Sequence, residues 1–117
     1  MRILLQGGTV VSAEGTAILD VLLEGERIAA VGENLSSGDA RIVDCTGKLL
    51  FPGFIDGHTH FDLEVGGTIT ADDFATGTRA ALRGGTTTVI DFAAPDKGET
   101  LAAGLARWQE KAGGHSA

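Results

Sequence analysis

Residues 51–63 read Phe-Pro-Gly-Phe-Ile-Asp-Gly-His-Thr-His-Phe-Asp-Leu, an apolar run after a Pro-Gly turn that ends in two histidines one residue apart. Side chains alternate between the two faces of a β-strand, so Asp56, His58 and His60 are expected on the same face. Two imidazoles on one face can bind a single metal ion. A His-X-His pair at a strand end can also be an ordinary polar surface feature. The neighbouring sequence is therefore needed to choose between a metal site and a surface feature.

The sequence around the histidine pair resembles the amidohydrolase superfamily. Residues 52–60 are similar to the first barrel strand of that superfamily, whose members bind one or two divalent metals with such a pair. Two later runs, residues 66–74 and 84–95, narrow the resemblance to the hydantoinase and dihydropyrimidinase branch. The resemblance extends over almost the whole chain.

The fold class that this resemblance implies is α/β, in two parts. Residues 1–51 are expected to be the N-terminal part of a small β-sandwich. Residues 52–117 are expected to start a metal-dependent hydrolase barrel, with the first two βα units of a (β/α)8 TIM-like barrel. A complete barrel takes roughly 250 residues. With 117 residues, the barrel is expected to be incomplete and the chain to be a fragment, either truncated or the front part of a longer polypeptide.

The residue pattern of the first part is β-rich. Short β-favouring runs separated by Gly, Asn, Ser and Asp predict strands at 3–5, 9–11, 18–23, 27–31, 41–43 and 48–51. Gly25 is expected to form a hairpin turn, because glycine readily adopts the positive φ that tight turns need. The only cysteine, Cys45, has no partner for an internal disulfide or a structural zinc site, so we interpret it as a structural residue.

The pattern of the second part alternates between strand and helix. Thr70 is expected to cap the first helix, with Asp72 and Asp73 in its first turn and Gly84-Gly85 at its end. A helical apolar stripe is predicted at Phe74, Thr78, Ala81 and Leu82.

A second strand and a second helix are predicted to follow. The β-branched run at 86–90 predicts a buried strand. The helix is expected to begin at about Glu99 and to end at Gly113-Gly114. Its expected buried face consists of Leu101, Leu105, Trp108 and Ala112. Trp108 is interpreted as a core residue and His115 as part of a solvated tail.

Composition disfavours several kinds of partner. The formal net charge of −7 disfavours nucleic acid and anionic membranes, since phosphate neutralisation needs a basic surface. No segment approaches the roughly 20 apolar residues of a membrane span. The N-terminus has too short an apolar run for a signal peptide. We therefore expect a cytoplasmic protein whose partner is a small molecule.

The resemblance implies a specific chemistry. It implies two divalent metals, most simply zinc, per full-length subunit, with His58 and His60 on the more buried one. The parent protein would hydrolyse the cyclic amide or imide bond of hydantoins or dihydropyrimidines to N-carbamoyl amino acids, and would form a homo-oligomer, a tetramer. The family's carbamylated lysine, two further histidines and aspartate belong to later strands, so no catalytic residue is assigned in this chain. Because catalytic zinc usually has three protein ligands, the isolated chain is predicted to be inactive.

Residues just after the histidine pair bear on the substrate. Related dihydroorotases carry arginine where this chain has Asp62, and a carboxylate there would repel an anionic substrate, which favours neutral ring amides. In hydantoinases the segment containing Phe61, Leu63 and Val65 forms a loop over the exocyclic group of the substrate. These three residues are therefore candidates for substrate binding, or alternatively loop anchors packed on the barrel.

Two carboxylates could support the histidine pair indirectly. Asp56 shares the face of the histidines and could orient one imidazole, or could instead bond to nearby backbone. Asp91 ends the second predicted strand, where functional residues gather in barrels.

Two other functions stay open. One is a non-catalytic dihydropyrimidinase-like protein, against which the retained His58 and His60 count. The other is a binding module, or one half of a split protein, that assembles with a complementary chain.

Overall fold

The structure, a computed structural model, describes residues 1–117 and divides into two compact units, residues 1–52 and 53–117. The first unit contains five strands: β1 (Arg2–Ser12), β2 (Gly15–Glu24), β3 (Arg27–Gly32), β4 (Arg41–Asp44) and β5 (Leu49–Leu50). They form one mixed sheet in the order β3-β2-β1-β4, and β5 also pairs with β1. Neighbouring β1, β2 and β3 are antiparallel, whereas β4 and β5 run parallel to β1. The core of this unit centres on Leu4, which is fully buried.

The strands predicted at 3–5 and 9–11 are a single strand, β1, so their prediction as two strands was wrong. The register of β1 against β2 shifts between Leu5 and Gly8, where Gly7 has φ 69°. Gly7 and Gly8 suggested a break, but they make a β-bulge inside a continuous strand. Gly8 also allows close packing, since a Cβ there would lie 2.6 Å from Leu50 Cδ1. The hairpin predicted at Gly25 is confirmed, with φ 60° between β2 and β3.

One buried carboxylate organises the first unit. Asp20 is 6% exposed, and its two oxygens accept hydrogen bonds from the backbone N–H groups of Gly7 at 2.8 Å and Leu35 at 3.0 Å. These bonds compensate the carboxylate for its loss of water. They also tie the bulge in β1 to the loop that follows β3. Cys45 is buried and unpaired, which fits a structural residue.

The second unit contains β6 (Phe54–Thr59), β7 (Glu64–Val65), β8 (Thr68–Ile69), α1 (Phe74–Arg83), β9 (Thr86–Asp91) and α2 (Leu101–Ala112). Strands β6 and β9 pair in parallel, with α1 as the crossover between them. Strands β7 and β8 form a short antiparallel hairpin that the sequence analysis did not predict. Neither helix is long and apolar enough to cross a membrane.

The first helix begins later than predicted. Its N-cap is Asp73, not Thr70, and no acidic residue lies in the first turn. Asp73 Oδ1 accepts from the Thr76 N–H at 2.7 Å, and Thr76 Oγ1 accepts from the Asp73 N–H at 3.1 Å, which completes a capping box. Thr70 Oγ1 instead accepts from the Leu63 N–H at 2.9 Å. Of the predicted stripe, Phe74 and Thr78 are buried, but Leu82 is 46% exposed.

Strand β9 is less buried than predicted, because it has one neighbouring strand; Ile90 is 56% exposed. Helix α2 also begins later than expected. Its N-cap is Thr100, and the side chain of Glu99 accepts from the Asp96 N–H instead. Trp108 is confirmed as buried, at 6% exposure. The predicted burial of Leu101 and Leu105 was wrong, because α2 packs through the face that contains Gly104 and Trp108.

Candidate metal site

The two histidines meet at the end of β6. His58 lies on the strand and His60 follows its last residue, Thr59. Their Nε2 atoms are 3.0 Å apart, and their rings meet edge-on at an angle of 81°. Both side chains are exposed to solvent. At this distance the two ring nitrogens can share a hydrogen bond, and the tautomers of the imidazoles determine which nitrogen donates.

The spacing of the two nitrogens fits a shared metal ion. Zinc–nitrogen bonds of about 2.0–2.1 Å in tetrahedral geometry place two ligand nitrogens about 3.3 Å apart, so the rings need to separate by only about 0.3 Å. No group of three or more His, Cys, Asp or Glu side chains is arranged to hold a metal in residues 1–117. The donor set therefore fits part of a metal site rather than a complete one.

Asp56 supports residues 58–60, the histidine segment, through the backbone. Its Oδ1 accepts a hydrogen bond from the His58 N–H at 3.1 Å. Of the two roles considered for this carboxylate, the structure therefore shows the bond to nearby backbone and not one to an imidazole.

Asp91 lies opposite Thr59 in the parallel pairing of β6 and β9. Its Oδ2 accepts from Thr59 Oγ1 at 2.8 Å and from the Phe61 N–H at 2.9 Å. Its Oδ1 accepts from Trp108 Nε1 at 2.8 Å. A single carboxylate thus joins the histidine segment to α2.

Phe92 is a residue of the site that the sequence analysis missed. Its ring centroid lies 4.4 Å from that of His58 and 5.4 Å from that of His60. The signal that could have found it is its position, since it follows the strand that pairs with the histidine strand, and the carboxyl ends of parallel strands share one edge. Its apolar ring lies beside both imidazoles.

The three candidate substrate residues lie in different settings. Phe61 packs edge-on against Phe74 of α1, with 5.6 Å between ring centroids, as expected of a loop anchor. Leu63 is half-buried, and its N–H is bonded to Thr70. Val65 lies on the β7–β8 hairpin and is 57% exposed. Val65 is therefore the residue of the three whose side chain is most open to a ligand.

Asp62 carries a compensated charge. Lys111 Nζ donates to the Asp62 carbonyl oxygen at 2.6 Å and lies 3.3 Å from its Oδ2. The same ammonium group lies 4.8 Å from the centre of the Trp108 ring. Since a cation faces the carboxylate, repulsion of an anionic substrate is weaker than the sequence alone suggests.

Ionic contacts also order the loop after β9. Arg107 on α2 pairs with Asp96 and Glu99, each at 2.9 Å, and donates to the Ala94 carbonyl oxygen at 3.1 Å. The hydrogen bond to Asp96 is the main reason that the pKa of Arg107 is raised. These contacts attach the loop to α2.

Comparison with known proteins places these features in a family. The sequence profile of the amidohydrolase family matches residues 49–112. The chain is 46% identical over 114 residues to a D-hydantoinase from Geobacillus stearothermophilus, a match that covers 97% of the chain and 24% of the relative. It is 43% identical over 113 residues to a dihydropyrimidinase from Rattus norvegicus, covering 92% of the chain and 22% of the relative.

A solved structure shows the same similarity to a dihydropyrimidinase. The crystal structure of dihydropyrimidinase from Brevibacillus agri NCHU1002 superposes with a TM-score of 0.93 at 48% identity, covering 99% of the chain and 25% of that protein. The chain thus spans about a quarter of the length of the relatives that it matches.

Proposed function

Because the chain belongs to the amidohydrolase family and matches the N-terminal quarter of D-hydantoinases and dihydropyrimidinases, we propose that it supplies the first metal-binding segment of a cyclic amidohydrolase. The whole protein would hydrolyse the ring amide bond of hydantoins or dihydropyrimidines to N-carbamoyl amino acids. The observation that carries this proposal is the His58–His60 pair, with Nε2 atoms 3.0 Å apart at the end of a strand.

The chain's own residues have distinct roles in this proposal. His58 and His60 would hold one of two zinc ions through Nε2, while the Phe92 ring packs beside both imidazoles. When bound, the metal supplies a polarised carbonyl and an activated water near neutral pH. Asp56 fixes the backbone at His58. Val65, on the exposed hairpin, is the best placed of the three candidate residues to contact a substrate.

On its own the 117-residue chain is proposed to be inactive. Two imidazoles are fewer protein ligands than a catalytic zinc usually has, and no third metal-ligating side chain joins them. The retained histidine pair also counts against a non-catalytic relative, in which metal ligands are lost.

A hybrid enzyme tests the proposal. Residues 1–117 would replace the N-terminal quarter of the Geobacillus stearothermophilus D-hydantoinase, to which they are 46% identical. Zinc content and hydrolysis of hydantoin and dihydrouracil would then be measured. We expect turnover and bound zinc in the hybrid, and loss of both in the hybrid carrying His58→Ala and His60→Ala.

A matched control is His115→Ala, because His115 lies outside the pair and is exposed. That variant is expected to keep both zinc and turnover. The proposal fails if the folded, zinc-loaded hybrid opens neither ring, or if removal of both His58 and His60 leaves the zinc content unchanged.

A further inference from the structure

The carboxylate of Asp91 accepts hydrogen bonds from two parts of the chain. Oδ2 accepts from Thr59 Oγ1 and from the Phe61 N–H, and Oδ1 accepts from Trp108 Nε1. Each distance is between 2.8 and 2.9 Å, within the normal range for a protein hydrogen bond. Asp91 therefore contacts the histidine segment on one side and α2 on the other.

The two residues that donate to Oδ2 lie on either side of His60 in the sequence. Thr59 precedes His60 and Phe61 follows it, so one oxygen atom holds the Thr59 side chain on one side of that histidine and the Phe61 backbone N–H on the other. In an extended segment neighbouring side chains point to opposite faces. Holding Thr59 towards Asp91 therefore turns His58 and His60 to the other face, where their Nε2 atoms meet.

The backbone pairing of β6 with β9 alone would hold the direction of His60 less firmly. Strand β6 ends at Thr59, and the final ladder bond, from the Phe92 N–H to the Thr59 carbonyl oxygen, is long at 3.3 Å. His60 lies beyond the strand and depends on the following residues for its direction. The bond from the Phe61 N–H to Asp91 extends the pairing past the strand end.

We propose that Asp91 is a positioning residue, which holds His58 and His60 in metal-binding geometry through Thr59 and Phe61. This inference rests on the proposed function, because it concerns the same histidine pair. The bond to Trp108 has a separate role, which is to attach α2 to the end of β9. Positioning and attachment are therefore separable by substitution.

Three single substitutions separate the two roles. Thr59→Val keeps the shape of the side chain but removes one donor to Oδ2. Trp108→Phe removes the donor to Oδ1 and leaves both Oδ2 bonds in place. Asp91→Ala removes all three bonds.

Two double variants keep the test decisive if Asp91→Ala does not fold. In Asp91→Asn combined with Trp108→Phe, the amide oxygen can still accept from Thr59 and Phe61, while its NH2 group no longer faces an indole donor. In Asp91→Ala combined with Trp108→Phe nothing can accept those bonds. The two proteins share the change at Trp108, so they differ only in the acceptor at position 91.

The first readout needs no metal. Long-range ¹H–¹⁵N spectra of the 117-residue chain report the contact between the two Nε2 atoms. We expect the contact in the wild type, in Trp108→Phe and in the asparagine double variant. We expect it to be lost in Asp91→Ala and the alanine double variant, and weakened in Thr59→Val.

The second readout is the affinity for Zn²⁺ alone, by titration calorimetry, with the His58→Ala/His60→Ala chain as background. We expect a loss of about tenfold in the alanine double variant relative to the asparagine one, the lower end of the usual effect of residues that orient metal ligands. Trp108→Phe is expected to lower thermal stability without lowering the affinity.

The outcomes separate this inference from the proposed function. The proposed function is decided by the zinc content and turnover of the hybrid enzyme, whereas the role of Asp91 is decided by the spectra and Zn²⁺ affinities of the chain variants, so each can fail without the other. If the imidazole contact and the affinity are the same in the two double variants, Asp91 does not position the histidines. Equal loss of affinity in Trp108→Phe and Asp91→Ala would also overturn the inference, because it would show only a general effect of stability.

Discussion

Gly77 on α1 and Phe61 after the histidine segment are in direct contact, with no space between them for a side chain at position 77. A Cβ at Gly77 would lie 2.3 Å from Phe61 Cε1 and 2.5 Å from its Cδ1. The glycine is buried, and the Phe61 ring also packs against Phe74 in the same helix. The missing side chain at Gly77 thus leaves room for this ring against the helix. The contact places Phe61 at a fixed position one residue after His60.

Gly77→Ala is expected to destabilise the unit formed by residues 53–117. Overpacking costs about 1–3 kcal/mol, and the better helix propensity of alanine offsets about 1 kcal/mol of this. In a Phe61→Ala background the steric cost disappears, so the same change is expected to stabilise by about 1 kcal/mol. Denaturant unfolding of the four proteins measures this change of sign, and an equal effect in both backgrounds would refute the contact.

Gly53→Ala is expected to be more harmful than Gly57→Ala. A Cβ at Gly53 would lie 2.0 Å from Thr87 Oγ1 and 2.7 Å from Thr87 Cβ, whereas nothing lies within 4 Å of a Cβ at Gly57. The first change should therefore cost about 1–3 kcal/mol through displacement of β9. Thr87→Ala should recover part of that loss. Urea unfolding compares the variants, and similar midpoints for both glycine substitutions would contradict the predicted contact.

Asp20→Ala is expected to weaken the first unit strongly. The change removes two hydrogen bonds to a buried charged group, each worth about 1.5–3 kcal/mol, and leaves the Gly7 and Leu35 N–H groups without partners. Asp44→Ala is the matched control, because Asp44 also accepts from a backbone N–H, that of Thr46, but is exposed. Circular dichroism during thermal unfolding measures both. A loss no larger for Asp20 than for Asp44 would refute the role of burial.

The cap of α1 is expected to make stability depend on acid pH. The backbone N–H of Thr76 is the main reason that the pKa of Asp73 lies below its usual value of 3.8. A depressed folded-state pKa gives stability that is present above the unfolded value and is lost as the pH falls through the folded one.

Asp73→Asn tests this dependence, since asparagine also caps helices but does not titrate. The stability of the wild type relative to this variant should be constant from pH 7 to about 5 and should fall below about pH 4. Midpoints of thermal unfolding over that range give the comparison. Parallel curves down to pH 3 would rule out a titrating cap.

The sequence predicted the kind of each major element better than its limits. The parallel strands around a helix and the burial of Trp108 followed from periodicity. The start of α1 did not, because Thr70 and Asp73 are both good caps, and only the tertiary bond from Leu63 to Thr70 decides between them. Gly66-Gly67 was a usable hairpin signal, and both residues have positive φ between β7 and β8.

The candidate site was predictable where its residues are neighbours along the chain. Strand alternation brought His58 and His60 together from sequence alone. The approach of Phe92 and the bonds of Asp91 depend on the register between β6 and β9, which spans 32 residues between Thr59 and Asp91. No local pattern contains that register. The pairing of Lys111 with Asp62 likewise needs α2 in place.

Trp108, whose indole N–H donates to Asp91, is also an optical reporter of one of the two units. Trp108 is the only tryptophan, and the chain has no tyrosine, so the intrinsic indole emission comes wholly from the unit of residues 53–117. The sheet of residues 1–52 contributes to circular dichroism but not to that emission. Unfolding followed by both signals therefore shows whether the two units melt together, in which case the transitions coincide, or one after the other.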